Sequence, residues 1–263
     1  KIIAMMKWLL CVPLLLLSAC DGGLWNNPYP SADKGLSIFY SSFTERPKHL
    51  DPAQAYSENE YIFLAQIYQP PLQYHYLKRP YTLIPQAASQ MPTVRYLDKN
   101  NRPLRDDAPA DQVAYSVYEV HLRPDLRYQP HPAFARDAAG KAEYLALKPD
   151  DLRGINTLGD FAHSGTRTVS AADYVYQIKR LAHPEIHSPI SGLMAEHIVG
   201  LKDYAATLRK AQSERGGQFL NLQDYALEGA QVVDEHSYRI KVYGKYPQFI
   251  YWLAMPFFAP MPV

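Results

Sequence analysis

The sequence predicts a mixed α/β (α+β) fold in which helices and strands share a core. Residues 113–122 and 231–242 alternate apolar and polar side chains with the period of two that is typical of half-buried strands. Residues 57–68 and 169–182 instead repeat apolar side chains at helical spacing behind a Ser-x-x-acid start. With 263 residues, 47% of them apolar, the chain is long enough to bury a sizeable core.

Composition narrows the classes of partner. The net charge is +1, and the lysines and arginines are dispersed without a basic stripe, so no nucleic-acid partner is predicted. The basic pair in residues 77–79 (LKR) is interpreted as solvated surface. The 21 tyrosines could form a recognition surface, although core packing is the default role of each one.

The N-terminus has the pattern of an export signal. Lys7 precedes an apolar run, residues 8–17, that is shorter than the roughly 20 residues needed to span a bilayer. The run ends in LSAC, which resembles a bacterial lipobox, so residues 1–20 are predicted to be a lipoprotein signal peptide with a diacylglycerol on Cys20. A conventional secretory signal with an incidental cysteine and a chance apolar start are the alternatives.

Residues 21–35 are rich in Gly, Asn and Pro and lack periodicity, which predicts a flexible tether. Asp21 resembles the residue that favours retention of enterobacterial lipoproteins in the inner membrane. We therefore expect a periplasmic protein that is lipid-anchored to the inner membrane of a Gram-negative bacterium. The following residues, 36–43 (LSIFYSSF), predict a strand that enters the core.

Residues 50–72 contain a predicted turn, a capped helix and a pair of prolines that ends the helix. Asp51-Pro52 indicates a turn, and Ser57 with Glu60 forms a capping box that places the helix start near residue 58. The two prolines at 70–71 end the helix. A polar loop held in front of a helix start suits ligand contact, but a merely well-capped surface helix would show the same pattern.

Beyond residue 72 the elements are predicted from the same signals. Residues 123–168 are rich in turn formers and predict loops and short helices. The predicted strands are a short strand after Pro71, which a Pro-limited segment follows, the strand at 113–122, and a hairpin at 231–242 with the turn DEHS. The predicted helices are a capped helix at 169–184, one helix at 194–212 and an aromatic helix at 246–255.

Motifs of common enzyme classes are missing from the sequence. It has no G-x-S-x-G elbow, no phosphate-binding glycine loop and no dinucleotide fingerprint. His183 and His187 have metal-ligand spacing, but Pro184 breaks the helix that such a pair requires. We therefore predict no catalytic residue, no metal site and no cofactor.

Eight short motifs follow one another along the chain. They are LDP (50–52), IYQPPL (67–72), LIPQAA (83–88), YEVHLRPDLRY (118–128), VSAADYVYQIKRLAHP (169–184), SPISGL (188–193), VVDEHSYRIKV (232–242) and YPQFIYWLAMPFFAPMP (246–262). In this order they resemble the family 5 extracellular solute-binding proteins, the oligopeptide- and dipeptide-binding proteins of ABC importers. One departure is the expanded segment at residues 127–168, where the family commonly has an F-x-D-G motif.

The resemblance implies a periplasmic-binding-protein-like fold of two lobes, of which the chain holds part of the N-terminal lobe. Residues 36–71 would start that lobe as a cleft wall, and residues 72–263 would be its accessory mixed α/β domain. The rest of the first lobe and the second lobe would lie beyond the chain. Counting from the LDP motif places Tyr56, Ser57 and Glu58 at the ligand.

Three functions are compatible with these expectations. The first is a monomeric substrate-binding lipoprotein that captures peptides or related small solutes and delivers them to an ABC permease and ATPase; it is not an enzyme. The second is a lipid-anchored periplasmic hydrolase. The third is a structural or interaction lipoprotein that uses its tyrosine-rich surface.

Overall fold

A computed structural model describes residues 29–216 and 218–263. The predicted signal peptide, Cys20 and most of the predicted tether therefore lie outside the described residues. Internal contacts divide the chain into two compact units, with the boundary between Thr44 and Glu45.

The strand predicted at residues 36–43 is wrong. In the first unit the described residues form one short 3-10 helix, Ser31–Asp33, and none of them joins a β-ladder. Alternating or apolar residues become a strand only when a neighbouring backbone pairs with them. The amino-acid pattern of this segment carries no information about a pairing partner.

The second unit has the predicted mixed α/β architecture. Its elements, numbered in chain order, are the helices α1 (Glu58–Ile67), α2 (Ala171–Arg180), α3 (Ser191–His197), α4 (Leu201–Arg215) and α5 (Phe249–Trp252), and the strands β1 (Leu72–Tyr74), β2 (Leu83–Pro85), β3 (Thr93–Leu97), β4 (Tyr115–His121), β5 (Ala230–Asp234) and β6 (Ser237–Tyr243).

The main sheet is antiparallel, in the order β3-β4-β6-β5. Its inner face carries Tyr118 and Val120 of β4, beside Tyr238 and Ile240 of β6, and all four are buried. The period of two predicted these strands and their inward faces, and the hairpin β5–β6 turns within the predicted DEHS segment. Strand β3 was not predicted; it is an edge strand, and none of its five residues is buried.

Helix α2 covers the inner face of β5 and β6. Its Tyr174 ring stacks on Tyr238 with centroids 5.4 Å apart, and both rings are fully buried. Burial of each such ring contributes about 2–3 kcal/mol. The predicted capping box is present at the start of α2, where the Ser170 amide donates to the buried carboxylate of Asp173.

Two helix predictions need correction. The single helix expected at residues 194–212 is two helices, α3 and α4, separated by a turn in which Ile198 bridges to Val242 of β6 and Gly200 has a φ of +74°. The bridge to β6 holds this turn against the sheet, and a helical periodicity in the sequence cannot reveal such a contact. The terminal aromatic helix is only α5, because Pro256 starts a separate 3-10 turn, Pro256–Phe258.

Strands β1 and β2 form a separate two-stranded hairpin. The Leu72 amide donates to the Leu253 carbonyl at 3.0 Å, which joins the start of this hairpin to the end of α5. Residues 123–168 contain three short 3-10 helices among loops, as predicted, and also isolated bridges, which were not predicted. Throughout residues 29–216 and 218–263, no helix combines the length and apolar character needed to cross a membrane.

Candidate ligand-binding groove

The LDP loop, residues 50–56, is fixed by Asp51. One carboxylate oxygen of Asp51 accepts a hydrogen bond from the Ala53 amide at 2.9 Å, which closes a local turn. The backbone carbonyl of Asp51 accepts hydrogen bonds from the Gln54 and Ala55 amides. Both carboxylate oxygens also accept from the guanidinium of Arg180, at the end of α2. This two-pronged pair is largely shielded from solvent, so it holds the loop against the helix firmly.

Glu60 closes the other side of the loop. One oxygen of its buried carboxylate accepts the amides of Lys48 and His49, at 3.2 and 2.8 Å. The other accepts the amides of Tyr56 and Ser57, at 2.9 and 3.0 Å. The capping box predicted for α1 therefore exists, and Glu60 extends it to a second stretch of backbone.

These hydrogen bonds determine the charge of Glu60. Burial alone would raise its pKa, but the bonds from the Ser57 hydroxyl and from backbone amides outweigh it and lower the pKa to about 2. Glu60 is thus an anion at neutral pH, fully used in holding the backbone and a poor proton acceptor.

A groove of about 440 Å³ opens beside this loop. One wall is the loop and α1, and the other is the segment that follows α5 together with Tyr74 of β1. The groove is lined by Ala55, Tyr56, Ser57, Glu58, Tyr61, Leu64, Tyr74, Ala254, Met255, Pro256 and Phe257.

The predicted site residues Tyr56, Ser57 and Glu58 all line this groove, so the structure brings them together. Their role in binding stays a prediction. Tyr56 is 76% exposed, and its ring centroid lies 6.5 Å from that of buried Phe257 on the opposite wall. The opposite wall was not anticipated at the level of residues, because it lies some 200 positions away in sequence and its run AMPFF signals only an apolar, Pro-limited segment.

The chemistry of the groove is mainly apolar. Aromatic and aliphatic side chains make up most of its surface, and Glu58 is the single charged side chain among the described residues that line it. Such a surface fits an apolar or aromatic side chain, with polar or cationic groups of the ligand directed to the Glu58 side. Ser57 offers a hydroxyl at the rim, although Glu60 already engages it.

A second concavity, of about 380 Å³, lies on the outer face of the main sheet. Its cations are paired within the protein: Arg95 and Arg239 share the carboxylate of Glu119, and Lys241 contacts Glu228. Paired charges of this kind leave little attraction for a ligand, so the groove is the better candidate. Over the part of the chain that the structure describes, no three His, Cys, Asp or Glu side chains are grouped as metal ligands.

Comparison with known proteins gives structural matches only. No protein-family model matches the chain, and no curated protein does. A periplasmic oligopeptide-binding protein (OppAIV) of Borrelia burgdorferi is 16% identical and aligns over 82% of this chain with a TM-score of 0.48. The murein tripeptide binding protein MppA of Escherichia coli (17%, 84%, 0.46) and the pheromone receptor PrgZ (16%, 81%, 0.47) give similar values. The present chain spans 29%, 30% and 28% of the lengths of these three proteins.

We expect Arg180→Met to destabilise the chain by about 2 kcal/mol, because it leaves the shielded Asp51 carboxylate without its cation while keeping much of the side-chain volume. The free energy of unfolding in urea measures the effect. Arg95→Met is the matched control, since Arg95 pairs with Glu119 at an exposed position, and we expect it to cost less than about 1 kcal/mol. Equal losses in the two variants would show that the Asp51 pair does not hold the loop.

Proposed function

We propose that the chain is part of the solute-binding lipoprotein of an ABC importer, which captures peptides or related small solutes in the periplasm and delivers them to a permease. The observation that carries the proposal is the groove beside the LDP loop, because the three residues placed at the ligand by the sequence resemblance, Tyr56, Ser57 and Glu58, line it together. The ordered motifs across residues 50–262 support the same reading. The chain spans less than a third of the matching solved proteins, so the activity of the whole protein is part of the proposal.

In this proposal the groove is one wall of the ligand cleft, and a second lobe closes over it. Closure removes the solute from water, after which apolar contacts to Tyr56 and Phe257 gain strength from desolvation. The loop contributes little ordering cost to binding, since Asp51 and Glu60 already fix its backbone in the free chain.

The lipid anchor on Cys20 and the tether at residues 21–35 complete the proposal. A fully extended tether of this length reaches roughly 50 Å, so an anchored monomer stays within range of a permease and its ATPase in the inner membrane. A locus that encodes neither a permease nor an ATPase beside this gene would count against the importer assignment.

The hydrolase alternative finds less support in the groove. Ser57 has the one aliphatic hydroxyl among the described lining residues, and none of those residues is a histidine or a lysine. The carboxyl group that is hydrogen-bonded to the Ser57 hydroxyl belongs to Glu60, whose pKa of about 2 makes it a weak base. The groove is therefore suited to holding a ligand rather than to activating a nucleophile.

Peptide binding to the full-length gene product tests the proposal. In a thermal-shift screen of short peptides we expect at least one class, rich in apolar side chains, to raise the Tm. Tyr56→Ala should then weaken the binding of that class about tenfold, as for an aromatic contact in a partly desolvated site, and should change stability by less than about 0.5 kcal/mol.

Phe219→Ala is the matched control for Tyr56→Ala. Phe219 is 78% exposed, close to the value for Tyr56, but does not line the groove. Its replacement should leave peptide affinity unchanged. The proposal fails if no peptide stabilises the protein, or if both variants alter affinity equally; a stable protein partner in place of a peptide would favour the interaction lipoprotein.

A further inference from the structure

The loop that joins β1 to β2 exposes large apolar side chains next to cations. We call residues 76–79 (YLKR) the hairpin tip. Tyr76 is 87% exposed and Leu77 is 77% exposed, while Lys78 and Arg79 follow them directly. Contiguous exposed apolar side chains can mark a surface that contacts a protein or a membrane.

The hairpin tip is ordered by its own polar groups. His75 Nδ1 accepts the amides of Leu77 and Lys78, each at 3.2 Å. The Arg79 guanidinium donates to the carbonyls of Tyr76 and Lys78, and its carbon lies 4.4 Å from the ring centroid of Tyr81. Because these contacts fix the backbone, the apolar side chains are presented outward and little ordering is needed when they bind.

The sequence on either side of the hairpin tip carries charge of one sign. The sequence contains no Asp or Glu between Glu60 and Asp98, an interval that includes Lys78 and Arg79. Among the described residues no carboxylate forms an ion pair with either cation, in contrast to the paired cations on the outer face of the main sheet. The tip therefore attracts anions that the protein itself does not supply.

We propose that the hairpin tip contacts an anionic lipid bilayer, with Tyr76 and Leu77 entering the interfacial layer and Lys78 and Arg79 contacting lipid phosphates. Tyrosine is suited to this layer because its ring is apolar and its hydroxyl stays hydrated, and basic residues beside it gain from the negative surface potential. This contact is separate from the proposed solute binding and does not require an acyl group on Cys20.

A lipid surface fits the tip better than a protein partner does. A stable protein interface takes about 20–30 residues from each side, whereas the tip presents four side chains. Peripheral membrane contact needs only a few apolar residues and cations, which is what the four side chains of the tip supply.

A fluorescent label at position 77 tests the proposal. Cys11 and Cys20 are the two cysteines of the chain, so Cys11→Ser with Cys20→Ser removes both thiols and any acyl anchor. Leu77→Cys in this background takes one environment-sensitive dye such as NBD. The control carries the dye through Leu145→Cys, because Leu145 is a similarly exposed leucine outside the tip.

We expect the dye at position 77 to brighten and shift to the blue with vesicles containing phosphatidylglycerol, and to change little with pure phosphatidylcholine. The dye at position 145 should stay in a water-like environment with both, even if another part of the chain adheres to the vesicles. Lys78→Gln with Arg79→Gln should raise the lipid concentration at half-maximal signal about tenfold or more. Far-UV circular dichroism checks that each labelled variant is folded.

Three outcomes would overturn the proposal. The first is a water-like signal at position 77 with anionic vesicles. The second is an equal response to neutral and anionic vesicles, which would exclude a role for the cations. The third is a response that needs membrane extract containing proteins and is lost after protease treatment of the extract, which would identify the tip as a protein contact.

Discussion

Glu60→Ala is expected to lower the free energy of unfolding by about 3–5 kcal/mol. The change removes the acceptor of four backbone amides, those of Lys48, His49, Tyr56 and Ser57, in a buried position. An amide left without a partner costs about 1–3 kcal/mol, and part of this loss is recovered when water enters. Urea denaturation followed by circular dichroism measures the change.

Glu58→Ala is the matched control for this experiment. Glu58 lies in the same first turn of α1 but is exposed, so its replacement should cost less than about 1 kcal/mol through the helix dipole alone. A Glu60→Ala variant that is no less stable than Glu58→Ala would contradict the proposed role of the Glu60 carboxylate in fixing the loop.

The low pKa of Glu60 also predicts a pH dependence. The ordinary value of 4.5 falls to about 2 in the folded chain, so the unfolded chain binds more protons between these values. The contribution of Glu60 to stability is therefore complete above pH 4.5 and is lost as the pH falls towards 2. Glu60→Gln should have a flatter stability profile over this interval, and parallel profiles for the two proteins would refute the assignment.

Gly229→Ala is expected to destabilise the chain by roughly 3 kcal/mol or more. A Cβ at position 229 would lie 2.3 Å from the carbonyl oxygen of Val199 and 2.5 Å from the Ile198 side chain. Neither backbone can easily move, because the Val199 amide donates to the Lys241 carbonyl and the Lys241 amide donates to the Gly229 carbonyl. Thermal and urea unfolding both measure the loss.

Gly192→Ala provides the opposite case in the same fold. A Cβ at position 192, in the first turn of α3, meets nothing within 4 Å. Alanine also restricts the unfolded chain, so we expect stability to be unchanged or to rise by up to about 1 kcal/mol. If both glycine variants lose similar stability, close backbone approach at Gly229 is not the cause.

Elements with a strong local signal could be predicted from the sequence. Helix α1 begins at Glu58, as its capping box indicates, and the inward face of β4 follows from alternation at Tyr118 and Val120. Predictions failed where the local structure depends on contacts with residues that are distant in sequence. The break between α3 and α4 depends on the bridge from Ile198 to β6, and residues 36–43 form no strand in the described structure although their pattern suits one.

The candidate site also combines features that the sequence predicts with features that depend on contacts between distant residues. The near wall at Tyr56, Ser57 and Glu58 was placed by sequence resemblance, and the capping box that supports it was visible in the spacing of Ser57 and Glu60. The pairing of Asp51 with Arg180 spans 129 residues, and nothing local to either residue signals it. The far wall at Phe257 is likewise a product of the tertiary fold.

The two walls of the groove are far apart in the sequence, so they are synthesised at different times. The wall at residues 55–64 leaves the ribosome first, and the wall at residues 254–257 is about 190 residues later. At about 5–20 residues per second, translation needs on the order of 10–40 s to supply the second wall. A nascent chain therefore displays Tyr56 and Tyr61 before the opposite wall of the groove exists, and the hydrogen bond from the Leu72 amide to the Leu253 carbonyl can form only after that later segment has been made.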